Sequence, residues 1–210
     1  VGIRSTTFLV QFDSDPSKFI DIPCLELKEL KEQHAIRLHG CGVTVDWLLA
    51  FTFDHDCWDK PTWWVNRHII KEATRDSRCR YMHLPEMKNY ARKPKVFASH
   101  CWGSKWGDVV MALAHGARGD RTVWVDLFAV RQWAGSIADL NFRDVIGKCD
   151  AMIVSCSPVE GLKDDQWWGK WDQFLATPEG KTAMKRIPMF RLWCNVEIGE
   201  GVNRNLPVIV

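Results

Sequence analysis

Apolar residues in the second half of the chain fall into four short runs that are separated by longer mixed segments. The runs occupy residues 95–100, 122–128, 151–157 and 206–210. Each has the length of a buried strand and is bounded by breakers or polar residues. The mixed segments predict helices at residues 108–117, around 139–149 and across the stretch that holds Glu197. Because strands alternate with helices, the pattern predicts an α/β fold with a doubly wound parallel sheet.

The first 94 residues do not continue this alternation. They contain a strand pattern at residues 8–12, a charged helical stretch at 25–33, a helical pattern at 65–74 and a candidate edge strand at 81–84. We therefore expect residues 1–94 to form an N-terminal α/β extension or flanking subdomain, and residues 95–210 to form the sheet domain.

Composition narrows the classes of function. Hydrophobic residues make up 46% of the 210, which allows a sizeable core. The 28 basic and 26 acidic side chains are interspersed, so we expect no nucleic-acid surface. No apolar run reaches the length of a membrane span, and no signal-peptide pattern opens the sequence. The eight cysteines are spread thinly, which favours reduced thiols in a cytoplasmic protein.

Two further features of the composition bear on the chemistry of the protein. The twelve tryptophans are most simply explained as core filling. A His-x-Cys pattern occurs at residues 39–41 and again at 55–57, but its one-residue spacing is unlike that of common zinc sites. No metal site is therefore predicted.

The candidate ligand site lies beyond the carboxyl ends of the predicted strands, where doubly wound sheets bind ligands. Ser99 and His100 end one predicted strand, and Asp126 lies near the end of the next. Glu197 follows Trp193 by four residues, so the two share one face of a helix. An indole beside a carboxylate suits a flat cationic ring, which makes Glu197 the candidate catalytic residue. The alternative is an amphipathic core helix whose glutamate faces solvent.

Four blocks in order carry a resemblance to a known family. They are Val-Phe-Ala-Ser-His at 96–100, Val-Trp-Val-Asp at 123–126, Met-Ile-Val-Ser-Cys-Ser-Pro at 152–158, and Trp193-Cys194 followed by Glu197-Ile198. Together they resemble a TIR domain, and residues 99–103 and 124–132 also resemble signatures of the TIR-like fungal HET domains. The resemblance covers residues 95–210 and implies a flavodoxin-like order of strands.

Enzymatic TIR domains cleave the nicotinamide–ribose bond of NAD+, giving ADP-ribose or its cyclic form, and act in stress, immune and cell-death signalling. The resemblance implies this activity here, with Glu197 as the catalytic carboxylate, NAD+ as substrate and no prosthetic group. By position, the residues expected to contact NAD+ are Ser99, His100, Trp102, Lys105, Asp126, Phe128, Arg131 and Trp193. The resemblance also implies a homo-oligomer, with residues 128–140 as the loop for self-association and gating. The alternative is a TIR-like or HET-like scaffold that signals only by homotypic assembly.

One carboxylate would suffice for this reaction, because nicotinamide leaves a ribose that resembles an oxocarbenium ion and needs only a nearby negative charge. The chain departs from the family pattern in three ways. Cys101 and Trp102 stand where many enzymatic members carry a basic residue, so Lys105 is a candidate substitute. Residues 161–189 form a longer insertion, which could cover the pocket or serve as an interface, and the last elements of a TIR fold are expected beyond residue 210.

Overall fold

The computed structural model describes residues 8–12, 15–22, 38, 40–134, 139, 141–158 and 170–210. Near the N-terminus, β1 (Phe8–Phe12) and β2 (Asp15–Ile22) pair as a two-stranded antiparallel sheet. A separate five-stranded sheet follows. Its strands are β3 (Val43–Thr44), β4 (Val96–His100), β5 (Thr122–Trp124), β6 (Ala151–Ser155) and β7 (Val208–Ile209).

The order of strands in this sheet is β3-β5-β4-β6-β7, and only β3 runs antiparallel to its neighbour. From β4 the chain first adds β5 on one side and then crosses to add β6 on the other. The connections therefore diverge between β4 and β6, which is the position at which open α/β sheets bind ligands. The predicted α/β fold with a mostly parallel sheet is confirmed, and this order is compatible with a doubly wound sheet.

Helices connect the strands and pack against the sheet. They are α1 (Val45–Asp54), α2 (Thr62–Val65, continued by a π-helical turn at Asn66–Ile70 and by Lys71–Ala73), α3 (Trp106–Ala114), α4 (Asp126–Ala129), α5 (Arg143–Ile146), α6 (Trp171–Ala176), α7 (Pro178–Arg186) and α8 (Leu192–Asn203). Short 3-10 helices occupy Tyr81–His83, Pro85–Asn89 and Pro188–Phe190.

Several predicted elements are present with shifted ends. The strands predicted at 8–12, 95–100, 151–157 and 206–210 correspond to β1, β4, β6 and β7, and the helices predicted at 65–74 and 108–117 correspond to α2 and α3. The helix around Glu197 is α8. The helix predicted around 139–149 is shorter than expected, because its described helical turn is confined to α5. The charged stretch at 25–33 lies outside the described residues.

The apolar run at 122–128 is a strand only at its start. The carbonyl oxygen of Val125 accepts hydrogen bonds from the N–H groups of Phe128 and Ala129, at 3.2 and 3.1 Å, so the chain turns into α4. The prediction of a strand through residue 128 was therefore wrong. A short run that is mostly apolar fits a buried strand and a buried helical turn equally well, and Asp126 within it is the first residue of the helix.

The edge strand predicted at 81–84 was also wrong. The N–H of Leu84 donates to the carbonyl of Tyr81 at 3.0 Å, which closes a 3-10 turn. The edge of the sheet is formed instead by β3, which pairs with β5. Proline 85 follows directly, and its fixed backbone angle and missing N–H do not suit a continued strand.

Aromatic residues form a large part of the core, although among the described tryptophans only Trp106 and Trp124 are buried, and Trp63 and Trp193 are exposed. Phe128 lies among Trp47, Phe51, Tyr81 and Trp106, with ring centroids between 5.0 and 5.7 Å away. The fully buried indole of Trp106 donates from Nε1 to Oγ1 of Thr52 at 2.9 Å, which satisfies its one polar atom. These residues come from both sides of residue 94 and belong to one hydrophobic cluster. The domain division predicted at that position stays a prediction.

Candidate active site

Glu197 is buried against the end of β4. It is 4% exposed, and its Oε2 accepts a hydrogen bond from the Ser99 hydroxyl at 2.5 Å. On the same face of α8, the Cys194 thiol donates to the carbonyl oxygen of His100 at 3.4 Å. One turn further, Gly201 lies so close to Met152 of β6 that an added Cβ would be 3.1 Å from the methionine Cε. This face of α8 therefore packs onto the carboxyl end of β4 and onto Met152 in the first half of β6, and the solvent-facing alternative for Glu197 is wrong.

A cleft of about 70 Å³ opens beside this contact. The residues that line it include His100, Trp102, Asp126, Arg191, Trp193 and Glu197. The Trp193 side chain is 44% exposed and packs edge-on against Phe142, with ring centroids 4.8 Å apart. The cleft lies where the strand connections diverge, and it combines two indoles with several polar groups, as small-molecule sites do.

The Glu197 carboxyl titrates unlike an exposed glutamate. Burial raises its pKa well above the ordinary value, the hydrogen bond from Ser99 opposes that shift, and Cys194 and Asp126 add to it. Removing a carboxylate from water disfavours the charged form, and one hydroxyl donor does not replace a hydration shell. Glu197 therefore keeps its proton to a higher pH than an exposed glutamate does.

His100 and Asp126 form the second polar feature of the cleft. His100 Nε2 lies 3.6 Å from Asp126 Oδ1, which is beyond hydrogen-bonding distance. Among the described residues, neither atom has a hydrogen-bond partner, although both are buried. The other carboxylate oxygen of Asp126 accepts from Trp102 Nε1 at 3.1 Å. Burial lowers the pKa of His100, and the charge of Asp126 only partly opposes this, so the imidazole is mainly neutral at pH 7.

Most of the residues predicted to contact a ligand come together at this cleft. His100, Trp102, Asp126, Trp193 and Glu197 line it, and Ser99 holds the Glu197 carboxyl. Trp193 and Glu197 share one side of α8, as their spacing predicted. Asp126 reaches the cleft from the first turn of α4 rather than from a strand end.

Lys105 and Phe128 lie elsewhere. The Lys105 ammonium is 3.4 Å from a carboxylate oxygen of Asp59, and its side chain is 48% exposed. Phe128 is enclosed by the aromatic core and is 1% exposed, so it has no surface for a ligand. Neither residue lines the cleft.

Arg131 is part of a buried ionic cluster rather than of the cleft lining. Asp139 accepts two hydrogen bonds from the Arg80 guanidinium, at 2.6 and 3.1 Å, and two from Arg131, at 3.0 Å from the backbone and 3.2 Å from Nε. Arg80 and Asp139 are almost completely buried. The cluster ties the segment after α4 to residue 80, which fixes the described part of the loop predicted to gate the pocket.

Sequence reasoning missed three residues with ionisable side chains that line the cleft. Arg191, at the N-cap of α8, lines the cleft and brings a positive charge to it, and the only local signal is a basic residue directly before a predicted helix. Cys101 and Cys194 also line it. Contact with Cys101 and then burial raise the pKa of the Cys194 thiol, which makes it a poor nucleophile.

The described part of the insertion contacts the loop that leaves β4. The Ser104 hydroxyl donates to the carbonyl oxygen of Arg186 at 2.9 Å, and a Cβ on Gly103 would lie 2.7 Å from the carbonyl oxygen of Lys185. No described residue between 170 and 189 lines the cleft. The tryptophans at 167 and 168 lie outside the described residues.

Among the residues that the structure describes, no group of three or more histidine, cysteine or acidic side chains is arranged to hold a metal ion. In the same residues, no helix has the length and apolarity that crossing a membrane requires. Comparison with protein-family models, with curated proteins and with solved structures found no match for this chain.

Proposed function

We propose that the chain is an NAD+ glycohydrolase in which Glu197 stabilises the ribose as nicotinamide departs. The observation that carries the proposal is the Glu197 carboxyl itself, which is buried, held by Ser99 at 2.5 Å and turned toward a tryptophan-lined cleft at the β4–β6 divergence. A structural glutamate on an amphipathic helix would face water. The resemblance of the four sequence blocks to TIR domains supplies the reaction.

The chemistry needs few participants. The bond between the pyridinium nitrogen and ribose C1′ breaks, and its electron pair goes to the nitrogen, so nicotinamide leaves as a neutral molecule. Positive charge develops on the ribose, where the Glu197 carboxylate offsets it and holds ribose hydroxyl groups. Water then adds to C1′ and releases a proton, which gives ADP-ribose. Trp193 and Trp102 offer aromatic faces for the cationic ring.

The proton balance of Glu197 supports binding of a cation. Since burial raises the pKa of this carboxyl, the empty site favours its neutral form. A pyridinium beside it favours the charged form, so binding of NAD+ and ionisation of Glu197 reinforce each other. Activity should therefore rise with pH as Glu197 ionises, and fall as pH decreases through its raised pKa.

The size of the cleft indicates which part of NAD+ it would take. A volume of about 70 Å³ is small beside the roughly 300–1,000 Å³ of sites that enclose a drug-sized ligand. The nicotinamide end would enter, and the rest of the dinucleotide would extend past the rim. Arg191 lines the cleft, so its charge is placed for the diphosphate, whereas Lys105 does not line the cleft.

The test measures nicotinamide release from NAD+ by the native protein and by two matched variants. Glu197→Gln keeps the size of the side chain and removes its charge, and we expect release to fall at least about 100-fold, the usual scale for losing one electrostatic stabiliser. Glu200→Gln is the control on the same helix, because Glu200 pairs with Arg204 at 2.6 Å and does not line the cleft. We expect the control to keep most of the activity. Equal release by the native protein and Glu197→Gln would remove Glu197 from the mechanism.

A scaffold that works by homotypic assembly is the second candidate, and one observation favours it. On α8, Leu192 is 81% exposed beside the cleft-lining Arg191 and Trp193, and Val202 is 57% exposed near the other end of the helix. Exposed apolar patches of this kind often mark contacts between proteins. If the native protein releases no nicotinamide at any concentration, while its mass in solution rises with concentration and Leu192→Asp prevents that rise, the scaffold is the better description.

A further inference from the structure

The cleft contains two buried polar atoms without a partner, and they lie side by side. His100 Nε2 and Asp126 Oδ1 are 3.6 Å apart, both residues line the cleft, and neither atom is hydrogen-bonded among the described residues. Six buried side-chain polar atoms lack a hydrogen bond among the described residues, and only these two belong to residues that line the cleft. Because native structures pair nearly all such atoms, these two are the candidates for binding a group supplied from outside.

The neighbouring residues determine whether His100 Nε2 and Asp126 Oδ1 can each donate or accept a hydrogen bond. Trp102 Nε1 already donates to Asp126 Oδ2, which orients the carboxylate and leaves Oδ1 as a pure acceptor. The imidazole is 2% exposed, so its position is fixed, and with its proton on Nε2 it offers a donor beside that acceptor. A donor next to an acceptor is the complement of a primary carboxamide, whose oxygen accepts and whose N–H donates.

We propose that His100 and Asp126 together bind the carboxamide of the nicotinamide ring, His100 donating to its oxygen and Asp126 accepting from its N–H. This inference rests on the proposed function for the identity of the ring. It goes further in naming the groups that select NAD+ over nicotinic acid adenine dinucleotide, in which a carboxylate replaces the carboxamide. A carboxylate has no donor for Asp126 and meets its negative charge.

The arrangement of the cleft agrees with such selection. The cleft is lined by two separate polar groups, which are Glu197 and the pair formed by His100 and Asp126. The aromatic side chain of Trp193 lines the same cleft. A pyridinium ring has its ribose and its carboxamide at different positions on the ring, so it can satisfy both polar groups at once. Sites built to pair a polar group of the substrate reject analogues that leave the site unpaired, by factors that can reach about 10⁴.

The first arm of the test compares kcat/KM for NAD+ and for the nicotinic acid dinucleotide. We expect the native protein to prefer NAD+ by at least about 100-fold. Asp126→Asn keeps an acceptor for Trp102 and turns an N–H₂ group toward the ligand, so the preference should fall at least tenfold, with a gain on the acid analogue. Asp59→Asn, at an exposed side chain outside the cleft, is the control and should leave the ratio unchanged. A native protein without preference, or a ratio unchanged in Asp126→Asn, overturns the inference while leaving the glycohydrolase proposal in place.

The second arm does not depend on catalysis. Nicotinamide added to the native protein should shift the imidazole NMR signals of His100, nicotinate should shift them at least tenfold less at equal concentration, and Asp126→Asn should reverse that order. Adenosine monophosphate is the competing probe, because an adenine edge also presents an amino group beside an acceptor nitrogen. A His100 shift with adenosine monophosphate and none with nicotinamide overturns the inference. Selective nicotinamide binding without any cleavage of NAD+ would support the carboxamide site and contradict the glycohydrolase.

Discussion

Asp139 and Glu197 are both buried carboxyl groups, yet their surroundings move their pKa values in opposite directions. Burial would raise the pKa of Asp139, but hydrogen bonds and charge from Arg80, then from Arg131, outweigh it and hold the pKa below its ordinary value. Glu197 has one hydroxyl donor from Ser99, so burial prevails and its pKa is raised. Both side chains expose almost no surface to solvent, and they differ strongly in the hydrogen bonds and charges that their partners supply.

This difference separates a structural cluster from a candidate active site. The four hydrogen bonds at Asp139 satisfy its charge and leave nothing for a ligand. At the cleft, the Glu197 charge is poorly compensated and two polar atoms of His100 and Asp126 have no partner. Groups held in an unfavourable state reduce stability, and proteins concentrate them where a ligand or transition state restores the missing interactions.

The largest expected effect comes from breaking the satisfied cluster. Arg80→Met removes the main partner of Asp139 and leaves a buried carboxylate, which should lower the free energy of unfolding by about 3–5 kcal/mol. Urea denaturation at pH 7 measures the change. Arg75→Met is the control, because Arg75, just beyond the end of α2, forms an exposed ion pair with Glu72, and the loss of free energy of unfolding there should stay below about 1 kcal/mol. Equal losses in both variants would contradict the structural role of the Arg80 pair.

The Asp139 cluster should also show in acid unfolding. Its pKa is lower in the folded than in the unfolded protein, so its stabilising contribution is full above the ordinary value of 3.8 and is lost as pH falls through the lowered value. The difference in free energy of unfolding between the native protein and Arg80→Met should therefore shrink as the pH is lowered below about 4. A deficit that is the same at pH 3 and pH 7 would assign the loss to packing rather than to charge.

Glu197→Gln should raise the free energy of unfolding, by less than Arg80→Met lowers it. A raised pKa in the folded state means that Glu197 is compatible with folding while protonated, and that stability is lost as pH rises through that value. Glutamine resembles the protonated acid, so the variant should be more stable by about 1–3 kcal/mol at pH 8 and nearly equal to the native protein at pH 4. Thermal and urea unfolding at the two pH values test this. A loss of stability at pH 8 would mean that the Glu197 charge is compensated after all.

The smallest change in stability and activity is expected at Lys105, which belongs neither to the Asp139 cluster nor to the cleft at Glu197. Its ion pair with Asp59 is largely exposed, and such pairs contribute about 0–1 kcal/mol. Lys105→Ala should therefore change the free energy of unfolding by less than about 1 kcal/mol. It should leave the KM for NAD+ unchanged. A several-fold rise in KM would return Lys105 to the phosphate-binding role that its sequence position suggested.

Local patterns predicted those parts of the fold that short-range physics determines. The strands at 95–100 and 151–157 and the helix at Glu197 follow from apolar runs and breakers, since strand and helix periodicity are properties of neighbouring residues. The joint placement of Trp193 and Glu197 follows from the helical repeat alone. The short helix α4 was not predictable in this way, because its apolar residues fit a strand equally well and the aromatic core around Phe128 decided between them.

By itself, the sequence determined the alternation of strands and helices and the presence of an acid beside an indole at the carboxyl edge of a parallel sheet. Only the tertiary structure decided which polar residues have partners. Arg80 meets Asp139 across 59 positions, and Ser99 meets Glu197 across 98. Whether a buried charge is satisfied depends on atoms brought together from distant parts of the chain. The periodicity of neighbouring residues carries no information about such long-range contacts.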